Sequence, residues 1–245
     1  EIHSGDWSSD VCSSDLVATV RALKHHGMNG NGKSEGSDPA AVKRGLANLE
    51  KHVENIRHFN MIPIVAINKF TEDNEEEIKV IEDCCDAQGV KHSVIDVWAK
   101  GGDGATELAE IVSQTVDDNH VQYKPLYDWN WDPKKKIETI AKTIYGAKAI
   151  DYTAKAKKDL SIIDSIGLDK LPVCMAKTQN SLSDNPKLLG RPKDFVVTVR
   201  EIEVAAGAGF IIPITGKILR MPGLPSHPSA EKIDIDNDGN ITGLF

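Results

Sequence analysis

The chain has 245 residues, with 37 acidic against 29 basic side chains and a formal charge of −8. That balance offers no basic footprint for a nucleic acid, because Lys134-Lys135-Lys136 is short and opens a predicted helix as a solvated face. No apolar run approaches the roughly 20 residues that cross a bilayer, and the length fits one large domain or two small ones.

The first 16 residues stand apart. Asp6-Trp7-Ser8-Ser9-Asp10-Val11-Cys12-Ser13-Ser14-Asp15-Leu16 matches the translation of a sequencing-library adapter. Residues 1–16 are therefore expected to be a non-native leader, set aside from the fold, with an upstream portion missing before Val17. Setting aside Glu1, Asp6, Asp10 and Asp15 moves the formal charge from −8 to −4. Cys84, Cys85 and Cys174 remain, an odd number with two on a helical apolar stripe, the usage of reduced core thiols in a cytoplasmic protein.

A short apolar strand over 17–20 precedes a Gly/Asn/Ser-rich stretch from Gly27 to Pro39. Leu46, Leu49, Val53 and Ile56 then recur at three and four, predicting a helix with one buried face. Met61 to Ile67 is an almost unbroken apolar run, as for a strand covered on both faces. Glu75 to Gln88 returns to helical period and stops at Gly89. A strand over 94–97 and a helix over 105–116 follow. This alternation with short links predicts a parallel sheet wrapped by helices.

Val121 to Pro133 changes character, crowding Tyr123, Tyr127, Trp129 and Trp131 between polar residues, and reads as a linker or lid. Helices are predicted over 133–145 and 153–166, and a strand over 171–176. From Phe195 the pattern alternates through Val197, Val199 and Ile202, then 211–214 and 218–221, which points to an antiparallel portion.

Gly27-Met28-Asn29-Gly30-Asn31-Gly32-Lys33-Ser34 fits the phosphate-loop pattern letter for letter. That chemistry needs a strand feeding the first glycine and a helix opening at the serine. Arg21 to His26 and then Gly36 and Pro39 deny both, so a surface loop is expected. Asp234 to Gly239 copies half a calcium loop, but Phe245 stands where a bidentate glutamate belongs, and a terminal hairpin is the expectation. Asn68-Lys69-Phe70-Thr71 resembles a guanine-recognition element, yet Thr71 cannot supply its carboxylate. No HExxH, CxxC or G-x-S-x-G is present, and His25-His26 reads as a surface pair.

Phe70 and Trp98 form the more informative pair. Each follows a predicted strand, where open parallel sheets bind ligands. Two aromatic faces there suit a planar heterocycle, with stacking worth on the order of 1 kcal/mol beyond area burial.

At these residues the chain resembles the C-terminal part of the formate–tetrahydrofolate ligase family. The likeness runs through VATVRALK followed by His25, His26 and Gly27, then GLANLEKHVENI, VAINKF, WAKGG, IYGA, LPVCMAKTQ, GRPKDF, PITG, MPGLP and ITGLF, and spans essentially 17–245. Met28 stands where the family has a second glycine, and Thr71 where relatives often carry proline.

The resemblance implies ATP-dependent activation of formate to formyl phosphate, then attack by N10 of tetrahydrofolate to give 10-formyltetrahydrofolate, with Mg2+ and a monovalent cation. It implies that Phe70 and Trp98 bracket the pterin and that Asn68 and Thr19 lie on the nucleotide side, with no catalytic or metal-binding residue in this chain. The fold it implies is α/β, a parallel sheet flanked by helices as part of a P-loop-NTPase-like domain, plus a smaller C-terminal α+β portion. Residues 17–66 then form the remnant of the nucleotide-binding domain and 67–245 the folate-side domain.

Partners are the small molecules tetrahydrofolate, formate and ATP, with no nucleic acid or membrane, in a cytoplasmic homotetramer of one-carbon metabolism. The family's phosphate loop and its formyl-phosphate-binding basic residues lie in an N-terminal half, so the chain alone is expected to be an inactive fragment. Two other readings are a stand-alone folate-binding or regulatory module and a nucleoside triphosphatase using Gly27 to Ser34.

Overall fold

The computed structural model describes residues 13–28, 36–118, 121–218, 226–236 and 239–243. Strands β1 (Ser13–Ala18), β2 (Ile62–Asn68) and β3 (Lys91–Ile95) form a parallel sheet in that order. The links between them carry α1 (Val20–Gly27), α2 (Pro39–His58) and α3 (Glu75–Ala87). After β3 come α4 (Val97–Lys100), a 3-10 turn and α5 (Thr106–Asp118). Mixed α/β architecture with a parallel sheet is thus present, and the expected boundary between 66 and 67 falls within its middle strand.

The first strand differs from its expected bounds of 17–20. Residues 13–16, set aside from the fold by their adapter-like sequence, pair with 62–65. The strand ends at Ala18, because Thr19 accepts the Ala22 N–H at 3.1 Å and caps a helix. Val20, Leu23 and Gly27 are buried at helical spacing, a pattern too short to separate from strand in the sequence.

One core cluster joins the sheet to its helices. Val65 and Ile67 of β2 meet Leu23 of α1, Leu49 and Val53 of α2, and Ile78 and Ile81 of α3. Helices α1 and α2 touch backbone to backbone. A Cβ added at Gly27 would sit 1.8 Å from Ala41 O, and one at Gly45 would sit 1.9 Å from Leu23 O. Cys84 and Cys85 are buried as expected, with burial pushing the Cys85 thiol up to about 12, whereas Cys174 is exposed.

Glu77 clamps this region. It is fully buried, and its Oε1 accepts the Asp38 N–H at 2.6 Å and pairs with Lys24 Nζ at 3.0 Å. Oε2 accepts the Asn74 N–H at 3.2 Å, half of a capping box that starts α3. Lys24 also donates to Gly36 O.

The second half is built on α6 (Pro133–Thr139), a π-helical turn (Ile140–Tyr145), β4 (Ala149–Tyr152), α7 (Ala154–Ser165), β5 (Val196–Ala205) and β6 (Phe210–Thr215). The antiparallel pairing expected from Phe195 onward is present, β5 against β6, and β4 adds to β5 in parallel, so the sheet as a whole is mixed. The strand expected over 171–176 reduces to two parallel bridges, Val173 to Ile211 and Ala176 to Ile214. The terminal hairpin is present as β7 (Asp234–Ile235) and β8 (Ile241–Thr242), while 219–221 of the strand expected over 218–221 lie outside the described residues.

Lys136 corrects the reading of its triplet as a solvated face. Lys134 and Lys135 are exposed, but Lys136 is fully buried beside Pro133 and Ile137, one helical turn apart on the core side. Its Nζ donates to the carbonyls of Lys170 and Leu171 at 3.0 Å and of Asp169 at 3.4 Å. The aromatic segment after α5 is anchored too: Phe59 stacks on Tyr123 with ring centroids 5.9 Å apart, and the Val173 N–H donates to the Tyr127 hydroxyl. No helix among the described residues is long and apolar enough to cross a membrane.

Helix α2 joins the halves through a polar stripe. Asn48 donates to Gly190 O at 3.0 Å, Lys51 to Thr143 O at 2.8 Å and Asn55 to Ile144 O at 2.9 Å. His26, expected at the surface, belongs to the same seam, with its Nδ1 accepting the Gly190 N–H at 3.1 Å. That bond requires an unprotonated Nδ1. Burial and the nearby His25 hold His26 below 6.5, and burial and Lys177 do the same for His52. The unfolded chain therefore binds more protons in this range, so the stabilisation present above 6.5 is lost as pH falls below it. Thermal unfolding scanned between about pH 7.5 and 5.5 should show a falling midpoint, and His26→Gln should flatten the slope. An unchanged slope in that variant would remove His26 from the account.

Candidate functional site

The carboxyl edge of the parallel sheet gathers short, rigid turns. Past β2, the Phe70 N–H donates to Asp73 Oδ2 at 2.8 Å and the Asp73 N–H returns to Phe70 O at 3.1 Å, closing a turn just before α3. Past β3, the Asp96 N–H donates to Gly104 O and the Lys100 N–H to Asp96 O, each at 3.0 Å. A Cβ at Gly104 would lie 2.3 Å from Asp96 O, so the turn that carries Trp98 requires glycine there. The two turns are neighbours, since the Lys69 N–H donates to Ile95 O at 2.9 Å.

Both rings project outward. Trp98 is 72% exposed and Phe70 36% exposed, and they make no ring contact with each other. Other aromatic side chains such as Trp129 and Phe210 are exposed too, so it is the place of this pair, at adjacent strand ends where open parallel sheets bind ligands, that marks it.

The other predicted residues separate. Asn68, the last residue of β2, has a buried Oδ1 without a hydrogen-bond donor. An acceptor so placed costs about 1–3 kcal/mol unless a ligand or water donates to it. The Thr19 hydroxyl, by contrast, is spent as the cap of α1.

Several charged groups at this edge are committed: Lys69 to Glu75 at 2.5 Å, Asp73 to the Phe70 N–H, and Asp96 to Lys100 at 3.6 Å. Such an arrangement suits the binding and orientation of a ring. One cation is not committed, and sequence reasoning passed over it. Arg21, in the first turn of α1, places its guanidinium 6.0 Å from the Phe70 ring centroid. Its only sequence signal is position, just past the strand beside β2.

The remaining motifs do not build sites. Gly27 is packed against α2, and 29–34 of the phosphate-loop match lie outside the described residues. In the calcium-like segment, the Asp236 carboxylate accepts the Asn240 N–H and side-chain amide at 2.8 and 3.0 Å, closing the hairpin turn. No group of three or more His, Cys, Asp or Glu side chains converges on a metal position among the described residues. Cavities among the described residues lie elsewhere. One of about 250 Å3 is lined by His26, His52, Asn55, Tyr145 and Lys177, where burial lowers the Lys177 ammonium to about 8 and its donors meet Thr178, Ser181 and Ser183 carbonyls. Further ones are an aromatic groove of about 240 Å3 at Tyr123 and Trp129 and an open polar cleft of about 470 Å3 at Glu54 and Arg191.

Comparison with known proteins gives one consistent result. The family model for formate–tetrahydrofolate ligase matches residues 5–245, a span that includes much of the adapter-like segment. A formate–tetrahydrofolate ligase of Syntrophus aciditrophicus (strain SB) is 50% identical over 229 residues, 94% of this chain. The chain spans about 40% of that relative's length.

Proposed function

The chain belongs to the formate–tetrahydrofolate ligase family, and from that membership we propose that its sheet edge holds the reduced pterin of tetrahydrofolate for formylation at N10. The observation that carries the reading is the pair of exposed rings at adjacent strand ends, Phe70 on a turn closed by Asp73 and Trp98 on a turn that Gly104 braces. The pterin lies between them, and the orphaned Asn68 Oδ1 is left to accept a donor from the nucleotide side. Thr19 and Asn68 face the nucleotide in this reading, Thr19 through the helix it caps. The expected division at 66 and 67 cuts β2, so in this reading the whole β1 to β3 unit is part of a P-loop-NTPase-like domain and the mixed sheet is the core of a smaller α+β portion.

ATP, Mg2+ and a monovalent cation serve the whole ligase, where ATP activates formate as formyl phosphate. The described residues fit neither the nucleotide phosphates nor the metal: the first glycine of the phosphate-loop match is buried in a helix crossing, and no acidic cluster is available. Charge stabilisation around a transferring phosphoryl group therefore belongs to other parts of the ligase. This chain supplies binding and orientation, in a cytoplasmic homotetramer of one-carbon metabolism.

Phe70→Ala and Trp98→Ala should each weaken tetrahydrofolate binding by about tenfold, from lost stacking and lost ring burial, and the double variant should abolish it. Anaerobic calorimetric titration measures this, and because both rings are exposed the unfolding midpoint should stay put. Undiminished affinity in the double variant would end the proposal. The isolated chain should also show no ATP- and formate-dependent formylation; robust turnover would place the activating groups within it.

A further inference from the structure

We infer that Arg21 is a positioning residue for the bound ring: it reaches Phe70 from the β1 side, fixes that ring and polarises it for stacking against an electron-rich heterocycle on the β3 side. The inference rests on the proposed pterin site and adds a group to it. Four observations support it.

The guanidinium lies 6.0 Å from the Phe70 ring centroid, within cation–π range. Arg21 has no ion pair or hydrogen bond among the described residues, so nothing else holds it there. Its backbone is rigid, since Val20 beside it and Leu23 two residues on are buried and Thr19 caps the helix. Finally, a cation in the first turn opposes the helix dipole, so its position is unfavourable for α1 and calls for a different use.

The strand order supplies the geometry. Arg21 follows β1, Phe70 follows β2 and Trp98 follows β3, and the sheet runs β1-β2-β3. A cation over one face of a benzene ring draws density from the other face. A reduced pterin, with its amino-substituted pyrimidinone, is rich in π density and stacks better on a face so depleted. Arg21 therefore raises affinity without touching the ligand.

The test is calorimetric titration of this chain with tetrahydrofolate and, separately, with a tetrahydropterin that lacks the benzoyl-glutamate tail. Arg21→Met should weaken both ligands by about fivefold, and Arg21→Lys should recover part of the loss. In a Phe70→Leu background Arg21→Met should have no further effect, a coupling that a purely structural role would not produce, and the unfolding midpoint should not move. Loss of affinity for tetrahydrofolate alone would overturn the inference in favour of a contact with the tail carboxylates. Unchanged binding in Arg21→Met, with binding still lost in Phe70→Ala, would overturn it while leaving the pterin site intact. If the unaltered chain binds neither ligand, both the inference and the proposed site fall.

Discussion

Gly45→Ala should lower the unfolding free energy by about 3 kcal/mol, at the upper end of what overpacking costs. The sign is the informative part. In a helix exposed to water, alanine in place of glycine is favourable by about 1 kcal/mol. Here the new methyl would arrive 1.9 Å from Leu23 O and 2.8 Å from its carbonyl carbon, atoms of a helix backbone that has no rotamer to change. Helices α1 and α2 must separate, and the buried contacts of Leu23, Val42 and Leu49 loosen with them. Gly102→Ala, whose methyl would meet nothing within 4 Å, is the control and should stay within about 0.5 kcal/mol of the parent. Denaturant unfolding of both variants measures the difference, and a stabilised Gly45→Ala would show that the helices do not meet.

Lys136→Met should cost a similar amount, about 3 kcal/mol. Methionine keeps the length and the apolar stem but removes the donor shared by three carbonyls at 169–171. Those oxygens end the chain segment that leaves α7, and the site around Lys136 is closed to solvent. Each acceptor left without a donor costs about 1–3 kcal/mol, softened by whatever local rearrangement admits water. Hydrogen exchange should report the damage first in 167–173, and uniform protection there in the variant would count against the role. Burial holds the Lys136 ammonium below its usual range, consistent with a cation that meets carbonyl dipoles rather than a carboxylate.

Several parts of this architecture can be read directly from residue order. The unbroken run from Met61 to Ile67 announces a middle strand, and Leu46, Leu49 and Val53 announce the buried face of α2. Phe70 and Trp98 stand out because aromatic residues are few and each follows such a strand. The polar seam was hidden, although Asn48, Lys51 and Asn55 recur at three and four just as the apolar residues do. Polar residues at helical spacing look like a solvated face unless the other half of the chain is known to cover them. Lys136 was misplaced for the same reason, since a lysine triplet looks wet until one member turns inward on the 100° step of the helix. The boundary between β1 and α1 was obscured because Val17 and Val20 fit a short strand as well as a helix start, and only the Thr19 cap decides between them. Arg21 carries no composition or spacing signal at all; its meaning depends on which strand its helix follows.

The buried Glu77 carboxylate has a mechanical consequence. It holds the end of one helix link through Lys24, the start of the next through the Asp38 amide, and its own helix through Asn74. Asn74 directly follows the closed 70–73 turn that presents the Phe70 ring. Helix α1, the start of α2 and the base of the turn that presents Phe70 thus share one carboxyl group, so its removal would loosen all three together rather than one at a time.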